Sequence, residues 1–121
     1  MSYEARCHCG AFRLSVPYLP AKATRCNCSW CARVGGLWGY YAPDEVTIIS
    51  ASNDRIYDPS NMKRHHFCGT CSGLIYNDIP KWDPQTNRPT EVRQISVNLR
   101  MIDDPAVNEI PVREIDGKNG W

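Results

Sequence analysis

A chain of 121 residues with 42% apolar residues and a net charge of +1 is long enough to bury a core, and we expect one domain over residues 1–121. The nearly balanced charge argues against a general attraction to nucleic acid, and the apolar runs are too short to cross a membrane. No secretory signal is recognised, so we expect a cytoplasmic protein whose seven cysteines bind metal rather than form disulfides.

The apolar pattern predicts a mainly β chain of short antiparallel strands. Phe12, Leu14 and Val16 alternate with polar residues, as in a strand with one buried face. Further strands are expected within 37–42, 45–50, 73–79, 93–99 and 108–121, because these segments are rich in β-branched and aromatic residues.

Helical and loop signals are few. The segment SWCARV, residues 29–34, predicts about one helical turn with Ser29 as its N-cap. The segment DDPAVN, residues 103–108, predicts a second turn. The polar, proline-marked segment WDPQTNRPT, residues 82–90, is expected to be a loop.

The seven cysteines fall into three clusters. They form a C-x-C pair, a C-x-C-x-x-C triad and a C-x-x-C pair, namely Cys7 and Cys9; Cys26, Cys28 and Cys31; and Cys68 and Cys71. Zinc takes four ligands in a tetrahedron, and both spacings bring neighbouring sulfurs around one point. We therefore expect two pairs to close one zinc site and the triad to form a second, open one.

The spacing leaves the partners of the first pair open. The pair at 7 and 9 could join either the pair at 68 and 71 or the last two cysteines of the triad, and we favour the former because it keeps the triad intact. A fourth ligand from His8, His65, His66 or an aspartate would close the triad site instead. An iron–sulfur cluster is a further alternative, although such clusters usually need a fourth cysteine.

The segments CHCG, CNCSWC and FCGTC, in this order and at these separations, resemble the glutathione-dependent formaldehyde-activating enzyme family, which includes centromere protein V. NLRMIDDP and DGKNGW resemble its late segments. The resemblance implies a β-tent-like fold in a single zinc-binding domain. It implies a structural zinc on Cys7, Cys9, Cys68 and Cys71, and a catalytic zinc, which could be loosely bound, on Cys26, Cys28 and Cys31.

The resemblance also implies an activity. A member of the family would be a carbon–sulfur lyase or synthase that uses glutathione as co-substrate and joins its thiol to formaldehyde. Its partners would be a small thiol and a small aldehyde. The chain departs from the family pattern at Ser72, where glycine is usual, and at Asn27, which is often histidine.

Several side chains near the clusters have both a functional and a structural interpretation. Arg33 is a candidate to bind the carboxylates of glutathione, or else to balance the charge of a zinc–thiolate centre. His65 and His66 are candidate proton donors. We favour a structural role for this pair, with one ring solvated and one bonded to the backbone.

The aromatic residues and the remaining functions also leave alternatives. Trp30, Trp38, Tyr40 and Tyr41 could line a cleft, although packing is the more common role of such residues. Two other functions are considered. One is a non-enzymatic zinc module that binds a protein partner, and the other is a redox enzyme with Cys31 as nucleophile.

Overall fold

The computed structural model describes residues 2–60 and 62–120 and confirms a mainly β fold. Within these residues the strands are β1 (Tyr3–Arg6), β2 (Phe12–Val16), β3 (Ala23–Cys26), β4 (Trp38–Tyr41), β5 (Thr47–Ala51), β6 (Asp54–Tyr57), β7 (Arg64–Cys68), β8 (Leu74–Asp83), β9 (Arg88–Asn98) and β10 (Val112–Ile115). The helices are α1 (Ser29–Val34) and α2 (Gly117–Gly120), with 3₁₀ turns at Pro43–Glu45, Leu99–Met101 and Pro105–Glu109.

The strands form a three-stranded sheet in the order β1-β2-β5 and a seven-stranded sheet in the order β10-β3-β4-β9-β8-β7-β6. Neighbouring strands are antiparallel except for β10, which runs parallel to β3 with Val112 opposite Ala23 and Ile115 opposite Cys26. The expectation of antiparallel strands therefore fails at this edge. A parallel pair needs a long connection, and the whole middle of the chain separates these two strands.

The core lies between the two sheets. Phe12, Leu14 and Val16 are almost fully buried, as their alternation predicted, and they belong to one apolar cluster with residues of the larger sheet such as Ile75 and Val97. Polar side chains alternate with these apolar ones along the central strands β8 and β9. The larger sheet consequently has one apolar face in the core and a second, more polar face that can carry a site.

The segment expected to be a loop at 82–90 is mostly strand. Strands β8 and β9 continue as a hairpin in which Trp82 pairs with Pro89 and Asp83 with Arg88. The turn is closed by Asn87, which adopts a positive φ of 55° and accepts a hydrogen bond of 2.9 Å from the Trp82 indole. The proline at position 89 is compatible with strand structure because the hairpin end lies at the exposed tip of the sheet.

Helix α1 forms where it was predicted, but its N-cap is Cys28 rather than Ser29. The Cys28 sulfur accepts a hydrogen bond from the backbone N–H of Cys31, and Gly35 ends the helix with a φ of 65°. The second predicted turn is confirmed as the 3₁₀ segment capped by Asp104. Helices α1 and α2 have six and four residues, and no helix in the described part of the chain is long and apolar enough to span a bilayer.

Candidate active site

The structure places the cysteines in two groups, of four and of three, with the membership favoured from the sequence. In the group of four, all ligand atoms lie within 4.8 Å of one another. The Cys9 sulfur lies 3.7 Å from that of Cys7 and 3.6 Å from that of Cys68. A tetrahedron of four thiolates around zinc has edges of about 3.8 Å, given a Zn–S distance of about 2.3 Å. The donor set therefore fits zinc.

Backbone N–H groups favour the thiolate form of two members of this group, Cys68 and Cys71. The Ala11 backbone lowers the pKa of Cys9, but hydrogen bonding to neighbouring thiols such as Cys68, together with burial, outweighs it and raises that pKa to about 11. A hydrogen bond from the backbone of Cys9 lowers the pKa of Cys71 to about 6. The backbone N–H groups of Cys71 and Thr70 likewise lower the pKa of Cys68, with Thr70 N 3.4 Å from the sulfur. Thiolates are the form of cysteine that binds metal, so the C-x-x-C turn with Cys68 and Cys71 favours an ion.

The group of three lies where β3 runs into α1. Cys26 ends the strand, Cys28 caps the helix and Cys31 lies in its first turn, and their sulfurs are within 4.8 Å of one another. Within residues 2–60 and 62–120, no histidine, aspartate or glutamate places a ligand atom in this group. Three thiols that converge without a fourth side chain match a zinc site with an open position.

The three thiols differ in acidity. Burial raises the pKa of Cys28, but the hydrogen bond from the backbone N–H of Cys31 and contacts with the other two cysteines bring its net value below the usual range. Burial, followed by the neighbouring Cys28, raises the pKa of Cys31. The indole of Trp38 acts in the opposite direction on Cys31, and its buried N–H has no hydrogen-bond partner among the described residues. A thiolate or another anion would satisfy that donor.

A cavity of about 150 Å³ opens beside the triad. Its floor is the polar face of the larger sheet, where Ser96 of β9 lies between Asn77 of β8 and Tyr40 of β4 in the cross-strand register. Sequence analysis did not select Asn77 or Ser96. The three triad cysteines line it, and the remaining lining residues are Trp30, Trp38, Lys63, His65, Ile79 and Ile115.

Trp30 forms a wall of this cavity rather than only anchoring its loop. Its ring stacks on His65, with centroids 3.7 Å apart, and on Trp38 at 5.7 Å. A Cβ added at Gly36 would lie 2.0 Å from the Trp38 ring and collide with it. The backbone at position 36 can approach the ring this closely only because the residue is glycine. Trp38 and Tyr40 also line the cavity, whereas Tyr41 lies in the core.

The two histidines do not behave as expected, because both are buried and neither is bonded to the backbone in the described structure. His65 Nδ1 lies 2.8 Å from Asn77 Oδ1, and the Asn77 amide nitrogen lies 3.5 Å from the Ser96 hydroxyl. Burial lowers the pKa of His65. His66 belongs to another environment, where its Nδ1 lies 3.0 Å from the Asp54 carboxylate.

The model of the family described as "Glutathione-dependent formaldehyde-activating enzyme" matches residues 2–109. The chain belongs to this family. The resemblance inferred from the cysteine clusters is thereby confirmed. No curated protein matches the sequence.

A solved structure supports the fold of this family member. The crystal structure of a Rhodobacter sphaeroides protein, a structural genomics target, aligns with a TM-score of 0.67 and 25% identity. The alignment covers 91% of this chain and 99% of that chain. The two-sheet arrangement described above is therefore shared by a protein of nearly the same extent.

The departure from the family pattern at Asn27 has a structural counterpart. Its amide donates a hydrogen bond of 2.9 Å to Asp116, and its side-chain oxygen accepts one of 2.9 Å from the Lys118 backbone. Asn27 thus fastens the C-terminal helix to the triad loop and does not line the cavity. Arg33 also lies outside the cavity lining, and its guanidinium donates to the Ser29 carbonyl at 2.7 Å.

Ser72, where the family usually has glycine, adopts a left-handed φ of 67°. We expect Ser72→Gly to raise the free energy of unfolding by about 0.5–1 kcal/mol, because glycine accepts this conformation without the Cβ penalty. Urea unfolding at a fixed zinc concentration measures the change. Ser52→Gly is the matched control, because Ser52 is an exposed turn residue that does not adopt a positive φ. This substitution should not stabilise the protein. An unchanged or lower value for Ser72→Gly would contradict the argument.

Proposed function

We propose that this chain is a carbon–sulfur lyase acting in the direction of synthesis, which joins a glutathione-like thiol to a small aldehyde such as formaldehyde. The observation that carries the proposal is the convergence of three thiols in the lining of a cavity, with no fourth side-chain ligand among the described residues. Family membership supplies the class of thiol and aldehyde. The enzyme would act as a single cytoplasmic zinc-binding domain over residues 1–121.

Two zinc sites are part of this proposal. Cys7, Cys9, Cys68 and Cys71 would hold a structural ion, and Cys26, Cys28 and Cys31 a catalytic one. When bound, the catalytic zinc supplies a Lewis acid that lowers the pKa of a coordinated thiol. The unpaired Trp38 N–H beside Cys31 would offset negative charge that accumulates on the three thiolates.

His65 is suited to move the proton that the reaction transfers. Since Asn77 Oδ1 accepts from Nδ1–H, the Nε2 lone pair of the neutral ring is available. Nε2 takes the proton of the thiol, and the sulfur forms a bond to the carbonyl carbon while the carbonyl π pair moves to oxygen. His65 then returns the proton to that oxygen, which gives the S-hydroxymethyl product.

Replacement of His65 by Asn should lower kcat by about 10²–10⁴-fold, the usual contribution of a general acid–base group. Burial lowers the pKa of His65 below its usual value of 6.5, so the neutral ring persists into mildly acidic solution. Wild-type activity should therefore fall only when the pH drops below 6.5, where the ring becomes protonated. The variant should lose this acidic limb. Steady-state rates measured across pH test both effects.

His8→Asn is the control for this substitution, because His8 is exposed and outside the cavity lining. It should retain the wild-type rate and the acidic limb. If His65→Asn kept the same pH profile as the wild type, His65 would have no role in proton transfer.

The two other functions considered from the sequence are less well supported. A partner-binding module does not need a lined cavity beside its thiols, and this chain has one. A redox nucleophile does not need two further thiols beside it, whereas the sulfur of Cys31 lies within 4.8 Å of those of Cys26 and Cys28.

The proposed function is tested by the rate of adduct formation. Purified protein with a measured zinc content is mixed with glutathione and isotope-labelled formaldehyde, and the hydroxymethyl product is followed by NMR. We expect two zinc ions per chain and a rate above the spontaneous reaction. A spontaneous rate with both sites filled would overturn the proposal.

A further inference from the structure

A second cavity, of about 380 Å³, continues from the one beside the triad. The two cavities share four lining residues, Tyr40, Lys63, Ile79 and Ile115. A molecule with one end at the triad could therefore extend along the sheet into this second cavity, which we call the cationic groove.

The cationic groove is lined by three basic side chains, Lys63, Lys81 and Arg113, and by no acidic one. Among the described residues, none of the three forms an ion pair. The Arg113 guanidinium donates a hydrogen bond of 3.3 Å to a neutral group, the Thr24 hydroxyl.

Neighbouring arginines behave differently. Arg25 is paired with Glu114, and Arg64 and Arg93 share Asp78. The basic side chains of the groove are thus left available while those around it are neutralised. Such a concentration of unpaired positive charge in a concave site attracts an anion.

The rest of the lining is mostly apolar, with Gln94 as a neutral polar side chain among it. Trp82 is half-buried, and its indole N–H is held by Asn87 at 2.9 Å. Pro80 and Ile79 precede it on β8. Specific sites for small molecules combine apolar walls with a few convergent polar groups, in volumes from about 300 Å³ upward. The groove meets both conditions.

We propose that the cationic groove binds the carboxylate-bearing part of the thiol substrate, while the substrate sulfur lies at the triad. This inference rests on the proposed function and deepens it, because it assigns the selection of an acidic thiol to Lys63, Lys81 and Arg113. Arg33 is not needed for this role, since its guanidinium is bonded to its own helix. Guanidinium and ammonium groups bind carboxylates by charge-assisted hydrogen bonds.

The test measures binding rather than turnover. S-methylglutathione keeps both carboxylates of glutathione but has no thiol proton to transfer, and its affinity for the zinc-loaded protein can be measured by titration calorimetry. The double variant Lys81→Gln/Arg113→Gln should bind it at least about tenfold more weakly, as expected for the loss of hydrogen bonds to a charged group. Both residues are exposed, so the fold should be kept, and thermal unfolding verifies this.

Two controls isolate the charge. Lys22→Gln removes an exposed lysine outside both cavities and should leave the affinity unchanged. The dimethyl ester of S-methylglutathione should bind weakly and equally to the wild type and the double variant.

The outcomes separate this inference from the proposed function. Equal affinity of wild type and double variant, or no binding by the wild type, overturns the groove assignment even if the protein forms the adduct. A tenfold loss of binding in a protein that forms no adduct faster than the spontaneous reaction supports the groove and removes the proposed activity.

Discussion

Replacing Cys68 by Ser should leave most of the chain unfolded at room temperature. Cys68 is completely buried at the end of β7 in the larger sheet, and its partner Cys7 follows β1 in the smaller one. A metal held by this group therefore joins the two sheets that enclose the core. Structural zinc supplies about 10–16 kcal/mol of binding free energy, which is comparable to the whole stability of a small domain.

Circular dichroism during urea unfolding measures this effect. The wild type treated with a strong chelator should behave as Cys68→Ser does, because both lack the same ion. Cys31→Ser is the matched control, since it removes a sulfur from the other group and leaves the link between the sheets. A cooperative transition of Cys68→Ser at the wild-type midpoint would show that the four cysteines hold no structural ion.

Local patterns were sufficient to predict much of this fold. The alternation of Phe12, Leu14 and Val16 fixed the buried face of β2, and the C-x-C and C-x-x-C spacings indicated which sulfurs can approach one another. The parallel contact between β3 and β10 was missed because it joins residues from opposite ends of the chain. Strand β6 was also missed, since DRIY at the exposed edge has little apolar alternation.

The floor of the cavity could not be assembled without the strand register. Asn77 and Ser96 lie in different strands, and only the pairing of β8 with β9 shows that they are neighbours. A signal was nevertheless present, because each is a polar residue inside a segment recognised as a strand with buried positions. Buried polar side chains need partners, and the partner of Asn77 is His65.

The register also explains why Lys81 and Arg113 were not recognised. They lie on β8 and β10, which are separated in the larger sheet by β9, β4 and β3. Both line the cationic groove on the face of the sheet that carries the site. Arg33, by contrast, was selected because it is close to the triad in sequence, and sequence proximity did not place its guanidinium in the cavity.

Replacing Cys28 by Ser should reduce adduct formation to the spontaneous rate without unfolding the protein. Serine is a favourable N-cap, so its hydroxyl can accept the hydrogen bond that the Cys28 sulfur receives from the Cys31 backbone, and α1 should persist. The hydroxyl is a poor ligand for zinc compared with a thiolate, which leaves two sulfurs for the second ion. The bound zinc should fall from two ions per chain to one.

Metal analysis, thermal unfolding and the NMR rate assay on the same preparation measure all three properties. Ser29→Ala is the control, because it changes the neighbouring, exposed hydroxyl and should keep both ions and the full rate. Loss of activity together with one ion, at an unchanged melting temperature, separates the role of the triad from that of the four-cysteine group. Wild-type activity of Cys28→Ser would mean that the reaction does not take place at the triad, since no other three thiols in the described chain converge on the cavity.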